Sequence, residues 1–310
     1  MLGIGASAFS LEDIPDLSEK VILVTGGNSG LGAESILQLA KHNPSRIYLA
    51  ARTKSKASRA IEDIERRVPQ AAITFLELDL SSFGSIKRAA NTLIQSAERL
   101  DVLMNNAGIM ATPAGLTKDG YEVQFGTNHV GHALLTRLLL PLLQKTAEMQ
   151  GEHADVRIVT VAAEAYKIAP KGGLVFTECK TDMHCFSTWT RYGQSKLANI
   201  LYTNELAAHH PDIKCISLHP GGVNTGLLRG PAESYPLFRW PLKLLGKLVG
   251  TSVAHGALTQ LFAATSKLAK TGTYYAPTAK EHPLYGCAQD VELAKALWDY
   301  TERELIAAGY

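Results

Sequence analysis

Short apolar runs rich in β-branched residues recur along the chain, alternating with longer stretches in which apolar positions return every three or four residues. The short runs fall at 21–25, 46–50, 73–78, 101–105, 156–161, 213–218 and 273–276. Their length and near-continuous hydrophobicity mark strands buried on both faces. Helical spacing occupies the intervals at about 30–43, 55–68, 84–99, 119–148 (one helix or two pieces), 189–209 and 252–269, with a last stretch near 290–308. Strand and helix in alternation predict parallel strands joined by crossover helices. The expected fold is α/β: a Rossmann-type, doubly wound parallel sheet of about seven strands, with helices on both faces. No linker interrupts the alternation, so residues 1–310 are expected to form one domain. Ligands of such sheets gather beyond the carboxyl ends of the strands, where the strand order reverses.

A length of 310 residues, 46% of them apolar, is ample for a large core. The 31 basic and 29 acidic residues nearly cancel and form no block of one sign, which removes the electrostatic basis for nucleic-acid binding and points to a small-molecule ligand. Cys179, Cys185, Cys215 and Cys287 are neither closely paired nor spaced as zinc ligands, so no metal is expected and a reducing, cytoplasmic setting is. The first ten residues lack the charged start and long apolar stretch of a secretory signal, and no run approaches the ~18 apolar residues of a membrane span. Within 226–250, an apolar stretch from Leu237 to Val249 is interrupted by Arg239, Lys243 and Lys247. It reads as a C-terminal lid over an apolar pocket, with peripheral contact on a membrane surface as the alternative.

The first strand runs into Gly26, Gly30 and Gly32 where a helix begins. Without side chains there, the backbone can approach a pyrophosphate and present its N–H groups at the helix N-terminus. The spacing, G-x-x-x-G-x-G, lacks the lysine of a nucleoside-triphosphate loop, which argues for a dinucleotide over ATP. At the end of the second strand, where an acid would bind the ribose hydroxyls of NAD, the chain places Ala51, Arg52, Thr53 and Lys54. Arg52 and Lys54 reverse the local sign and offer donors to a 2′-phosphate, so the expected cofactor is NADP(H).

Tyr192 and Lys196 stand four residues apart on a predicted helix, hence on one face. A phenol with its ordinary pKa near ~10 donates a proton readily but is a poor base. A lysine cation alongside should favour the phenolate and bring the phenol toward a range useful in both directions. With a dinucleotide loop, that pair points to hydride transfer coupled to proton transfer.

The chain resembles the short-chain dehydrogenase/reductases, with T-G-x-x-x-G-x-G at 25–32, D-L-S at 79–81, N-N-A-G at 105–108, N-H-V-G-H at 128–132, Y-x-x-x-K at 192–196 and H-P-G-x-V-x-T at 219–225. The R-Y-G-Q-S-K-L-A-N run makes it most similar to the retinol-dehydrogenase-like and fungal reductase branch. The resemblance implies that Asn28, Ser29, Leu31 and the three loop glycines hold the cofactor. It further implies that Asp79 binds the adenine amine with Leu80 beside the ring, and that Asn106, Ala107 and Gly108 lie along the ribose. Pro220, Gly221, Val223 and Thr225 would follow the nicotinamide. Asn128 would kink its helix and hold a water that links Lys196 to solvent. His129 and His132 at i, i+3 are expected to be packing residues, not metal ligands.

One position departs from the family pattern. Aligned on R-I-V-T-V, Ala163 stands where relatives place a serine whose hydroxyl polarises the substrate carbonyl. Loss of one such donor costs roughly 10²–10³ in rate. A deliberate Ser→Ala replacement, a donor supplied from elsewhere, and a chain that has given up redox chemistry each account for it; the otherwise intact set favours the first and an impaired chain. Ser187, Thr188 and Thr190 are candidate substitutes. Apolar segments at 226–250 and 164–189, the latter with Phe176, Phe186 and Trp189, suggest a large lipophilic or aromatic ketone, aldehyde or alcohol and a ketoreductase of secondary metabolism. The alternatives are a cofactor-binding, non-redox member such as a cyclase, sensor or interaction protein, and packing of these residues within a homo-oligomer.

Overall fold

The computed structural model describes residues 9–223, 229–234 and 251–310. The strands are β1 (Val21–Thr25), β2 (Arg46–Ala51), β3 (Ile73–Glu77), β4 (Val102–Asn105), β5 (Arg157–Val161), β6 (Lys214–Leu218), β7 (Tyr274–Ala276) and β8 (Lys280–Glu281). They form one sheet in the order β3-β2-β1-β4-β5-β6-β7-β8. All pairs are parallel except β7–β8. Among the described residues the count is therefore eight, one more than the apolar pattern predicts. The extra strand has two exposed, charged residues and so leaves no hydrophobic signature.

The helices are α1 (Gly30–Ala40), α2 (Lys54–Glu65), α3 (Phe83–Ser96), the single turn α4 (Val123–Phe125), α5 (Gly131–Gln150), α6 (Thr188–His209), α7 (Arg229–Ser234), α8 (Val253–Thr265) and α9 (Val291–Ala307). The predicted stretch at 119–148 is two pieces: α4 and α5 are joined by a π-helical segment, Gly126–Val130. A core lies on each face of the sheet. On one side Leu103, Ile158 and Cys215 pack with α3, α5, α6 and α9; on the other Val24, Val159, Ile216 and Leu218 pack with α1, α2 and α8. Burial on both faces explains why these strands read as continuous apolar runs rather than alternating ones.

Strand order reverses between β1 and β4, so their carboxyl ends open a crevice. Of the predicted lid at 226–250, only α7 lies within the described residues; its apolar core from Leu237 to Val249 lies outside them, as does Thr225. Among the described residues no helix is long and apolar enough to cross a membrane.

Candidate active site

The β1–α1 turn is shaped by its glycines. Gly26 has φ +68° and Gly30 φ +54°, conformations that side chains disfavour. A Cβ on Gly32 would sit 2.5 Å from Gly26 O and 2.6 Å from Asn106 Nδ2, and one on Gly26 would meet the Ala107 backbone at 3.0 Å. Asn106 closes the turn by donating Nδ2–H to Thr25 O at 2.7 Å. Ser29 caps α1 with its side chain unengaged and exposed, beside half-buried Asn28, while Leu31 is buried in the core below. The result is a helix N-terminus reached by a turn packed too closely for side chains at Gly26 and Gly32, with the Ser29 side chain exposed and unengaged at its mouth, and a dinucleotide phosphate fits such an end.

Around this turn, Arg52 and Lys54 stand exposed after β2, and Thr53 caps α2 without a side-chain hydrogen bond. Asp79 is half-buried and already engaged. Its Oδ1 accepts from Ser81 N and Oγ, and Oδ2 pairs with Lys118 at 3.0 Å. Burial pushes its carboxyl up, but the bonds from Ser81 and Lys118 outweigh it and hold the group below the ordinary range. Leu80 is buried against Gly131 of α5, which places its side chain in the core. Gly108 lies between Asn128 and Lys196; a Cβ there would be 3.3 Å from Asn128 Oδ1 and 3.5 Å from Lys196 Nζ. Beyond β6, Gly221 adopts φ +91° beside Pro277, Pro220 is half-buried, and Val223 bridges to Thr251.

Helix α6 carries Tyr192 and Lys196 to the carboxyl end of β5. Ser187 caps its N-terminus through Thr190 N. Gly193 lets the helix lie directly on the segment after β5: a Cβ there would be 2.7 Å from Ala165 O and 2.8 Å from Ala169 N. Lys196 Nζ donates to Val161 O at 2.8 Å and lies 5.8 Å from the Tyr192 ring centroid. Both side chains are buried, at 3% and 6% exposure.

That burial changes the expected electrostatics. It pushes the Tyr192 phenol up and the Lys196 ammonium down to about 7. The cation expected to lower the phenol is itself driven toward neutrality, because a charge inside a protein with no counter-charge loses its hydration. Burial thus keeps the Tyr192 phenol protonated, which leaves it able to donate a proton but not to act as a base.

Asn128 occupies the π-helical segment and is completely buried. Its Oδ1 accepts from Ile109 N at 2.8 Å, and Nδ2 donates to Ile109 O and to Ser195 Oγ, each at 2.9 Å. His129 contacts Thr301 Oγ1 at 3.0 Å, and His132 contacts Asn128 O and Thr25 Oγ1 at 2.9 Å each. Burial pushes the two imidazoles down to about 3 and about 4.

Ala163 follows β5 with an extended backbone and is buried at the strand end. The three hydroxyls suggested as substitutes are otherwise engaged: Ser187 Oγ and Thr190 Oγ1 bond each other at 2.8 Å, and Thr188 Oγ1 donates to Thr112 O at 2.6 Å. Phe176 packs on Tyr300 of α9, with centroids 5.1 Å apart, so it serves the core and not a substrate wall. Sequence reasoning also missed the pair of Arg191 and Glu122, whose Nη1 and Oε1 lie 2.9 Å apart, buried between α6 and α4. Only the adjacency of Arg191 to Tyr192 hinted at it.

A tyrosine, a lysine and a buried asparagine thus gather at the carboxyl edge of a doubly wound, Rossmann-type sheet, close to its switch point. The family profile described as short chain dehydrogenase matches residues 20–168. The chain is 41% identical to an uncharacterized oxidoreductase, C736.13, of Schizosaccharomyces pombe, over 97% of this chain and 89% of that protein. It is 38% identical to the short-chain dehydrogenase/reductase drtF of Aspergillus calidoustus (94% and 95% covered) and 35% identical to human retinol dehydrogenase 14 (91% and 85%). A crystal structure of an uncharacterized protein from Mycobacterium paratuberculosis superposes with a TM-score of 0.73 at 28% identity, covering 96% and 97% of the two chains. The NADPH-bound carbonyl reductase from chicken fatty liver shares the fold, with a TM-score of 0.64 at 21% identity over 86% and 100%. The chain belongs to the short-chain dehydrogenase/reductase family, in its retinol-dehydrogenase-like branch.

Proposed function

We propose that this protein is an NADP(H)-dependent reductase that interconverts a lipophilic or aromatic ketone or aldehyde with its alcohol, acting as a ketoreductase of secondary metabolism in the cytoplasm. The observation that carries the reading is the meeting of Tyr192, Lys196, Asn128 and Gly108 near the glycine turn that opens α1. The bound cofactor supplies the hydride. The chain's own residues do the rest: Tyr192 donates its phenolic proton to the developing alkoxide oxygen, and Lys196 holds the proton reserve behind it. Asn128 fixes the loop at Ile109 that walls the site. Arg52 and Lys54, exposed at the end of β2 where the chain has no acid in sequence at 51–54, favour a 2′-phosphate over a bare ribose.

Ala163 leaves the carbonyl without its usual donor, which supports a second reading: a member that binds cofactor but performs no redox step. NADPH and NADH oxidation measured against acetophenone, tetralone and benzil, with the chain as it stands and with Ala163→Ser, separates the two. The redox reading expects a preference for NADPH and a gain of about tenfold or more from the serine. NADPH binding without turnover in both proteins would sink it in favour of the second.

A further inference from the structure

Thr25, His132, Asn128, Ser195 and Tyr192 come from three sequence motifs, yet hydrogen bonds link them in series, crossing Asn128 from its backbone carbonyl to its side-chain amide and ending at the Tyr192 backbone. The backbone N–H groups of Asn106 and Ala107 donate to Thr25 Oγ1 at 3.0 and 2.9 Å. Both lone pairs of that oxygen are then taken, so its proton must be given away. His132 Nε2 lies 2.9 Å off, closer than the alternative acceptor, Met104 O, at 3.3 Å. Across the ring, His132 Nδ1 stands 2.9 Å from the carbonyl of Asn128. A carbonyl oxygen can only accept, so the ring proton sits on Nδ1 and Nε2 receives the threonine proton. The run continues through Asn128 Nδ2–H to Ser195 Oγ at 2.9 Å, and from the serine hydroxyl to the Tyr192 carbonyl at 2.8 Å.

We propose that His132 is a positioning residue, held as the neutral Nδ1–H tautomer, which locks the glycine-loop end of β1 to the helix carrying Tyr192 and Lys196. The proposal rests on the redox reading above, in which the loop places a dinucleotide and the helix places a phenol. Helix α6 packs on β5 and β6, and its connection to β1 described here runs through His132, Asn128 and Ser195. His132 is 4% exposed. The groups acting on its ring are Lys196 from α6, His129 one turn earlier, Thr25 from β1 and the Asn128 carbonyl. Burial leads these in keeping the ring neutral at working pH. Protonation would put an N–H against Thr25 Oγ1, which would then have to surrender one of the two backbone bonds that shape the N-N-A-G turn.

The test has two independent readouts. In long-range proton–nitrogen spectra of histidine-labelled, ligand-free protein, His132 is expected to show a protonated Nδ1, a bare Nε2 and no titration between about pH 5.5 and 8.5. An Nε2–H tautomer, or a ring titrating near its ordinary value, overturns the proposal. His132→Phe keeps a ring and loses both bonds. It is expected to weaken NADPH binding by about tenfold by fluorescence titration and to lower kcat by about tenfold, the scale of a buried polar group left unpaired. His132→Asn, which keeps a donor toward Asn128, is expected to recover part of the kcat loss. Combining His132→Phe with Ser195→Ala is expected to cost less than the product of the single losses, because both cut one run. Unchanged binding and kcat in His132→Phe, no recovery with asparagine, or simply multiplying losses would each overturn it. Failure of the unaltered chain to bind NADPH at all is a different result: it removes the redox reading and the proposal with it, whatever the ring spectrum shows.

Discussion

Lys196 stores the clearest residue-level conflict between stability and chemistry. Unfolded, its ammonium holds a proton up to about 10.5; folded, burial lowers that point to about 7. Below about pH 7 both states are charged and the destabilisation is fully present. Between about 7 and 10.5 the unfolded chain binds the extra proton, so stability rises with pH. Lys196→Met is therefore expected to raise the Tm of the ligand-free protein at pH 7 by at least about 2–4 °C. It should also flatten the stability profile across that window and abolish turnover; a lower Tm in thermal melts at pH 7 would contradict the account. Residue type and spacing made Tyr192 and Lys196 legible in the sequence. Their burial, which reverses the expected tuning, depends on β5 and on the segment after it, and no local pattern encodes that.

At the scale of elements, the Glu122–Arg191 pair ties the turn α4 to helix α6. Glu122 accepts from Gln124 N and Phe125 N at 2.9 and 2.6 Å, capping the turn, while Arg191 also reaches Thr112 O at 3.3 Å. Burial pushes the Glu122 carboxyl up more than these partners pull it down. For an acid raised in the folded state, stability falls as pH rises from its unfolded value toward its folded one. Arg191→Met, which removes the counter-charge and raises the carboxyl further, should cost about 3–5 kcal/mol in denaturant titrations, with a larger loss at pH 8 than at pH 5. An equal loss at both pH values would argue against an uncompensated carboxylate. The partners are 69 positions apart, which is why periodicity cannot reveal them. Helix α6, by contrast, announces itself through a long stretch of helical spacing, and starts within one residue of the expected position, although Arg191 to Thr203 are buried on every face. The π segment at 126–130 is invisible to periodicity because it offsets the helix face by one residue only; the asparagine within the N-H-V-G-H motif was its one clue.

For the molecule as a whole, the alternation of buried strands and amphipathic helices was enough to recover seven strands and their crossovers, because each element must bury a face against its neighbour. What escaped is what does not depend on apolar burial. Arg157, fully buried on β5, donates to Ala263 O and Ser266 O at the end of α8 (3.0 and 2.9 Å) and pairs with Asp155. It fastens the sheet to a helix about a hundred positions away in sequence. Arg157→Met should lower stability by roughly 3 kcal/mol and leave NADPH affinity unchanged in fluorescence titrations; a matching loss of affinity would mean that this fastening also sets the site. The two-residue strand β8 escaped for a related reason, since Lys280 and Glu281 are polar and exposed. Its placement has a consequence for how copies of the molecule can meet. A ninth strand from another chain would have to dock on a rim two residues long and strip water from both charges, so this border of the sheet is a poor template for strand-by-strand growth. Copies that associate through the sheet would have to do so at the opposite border, along β3.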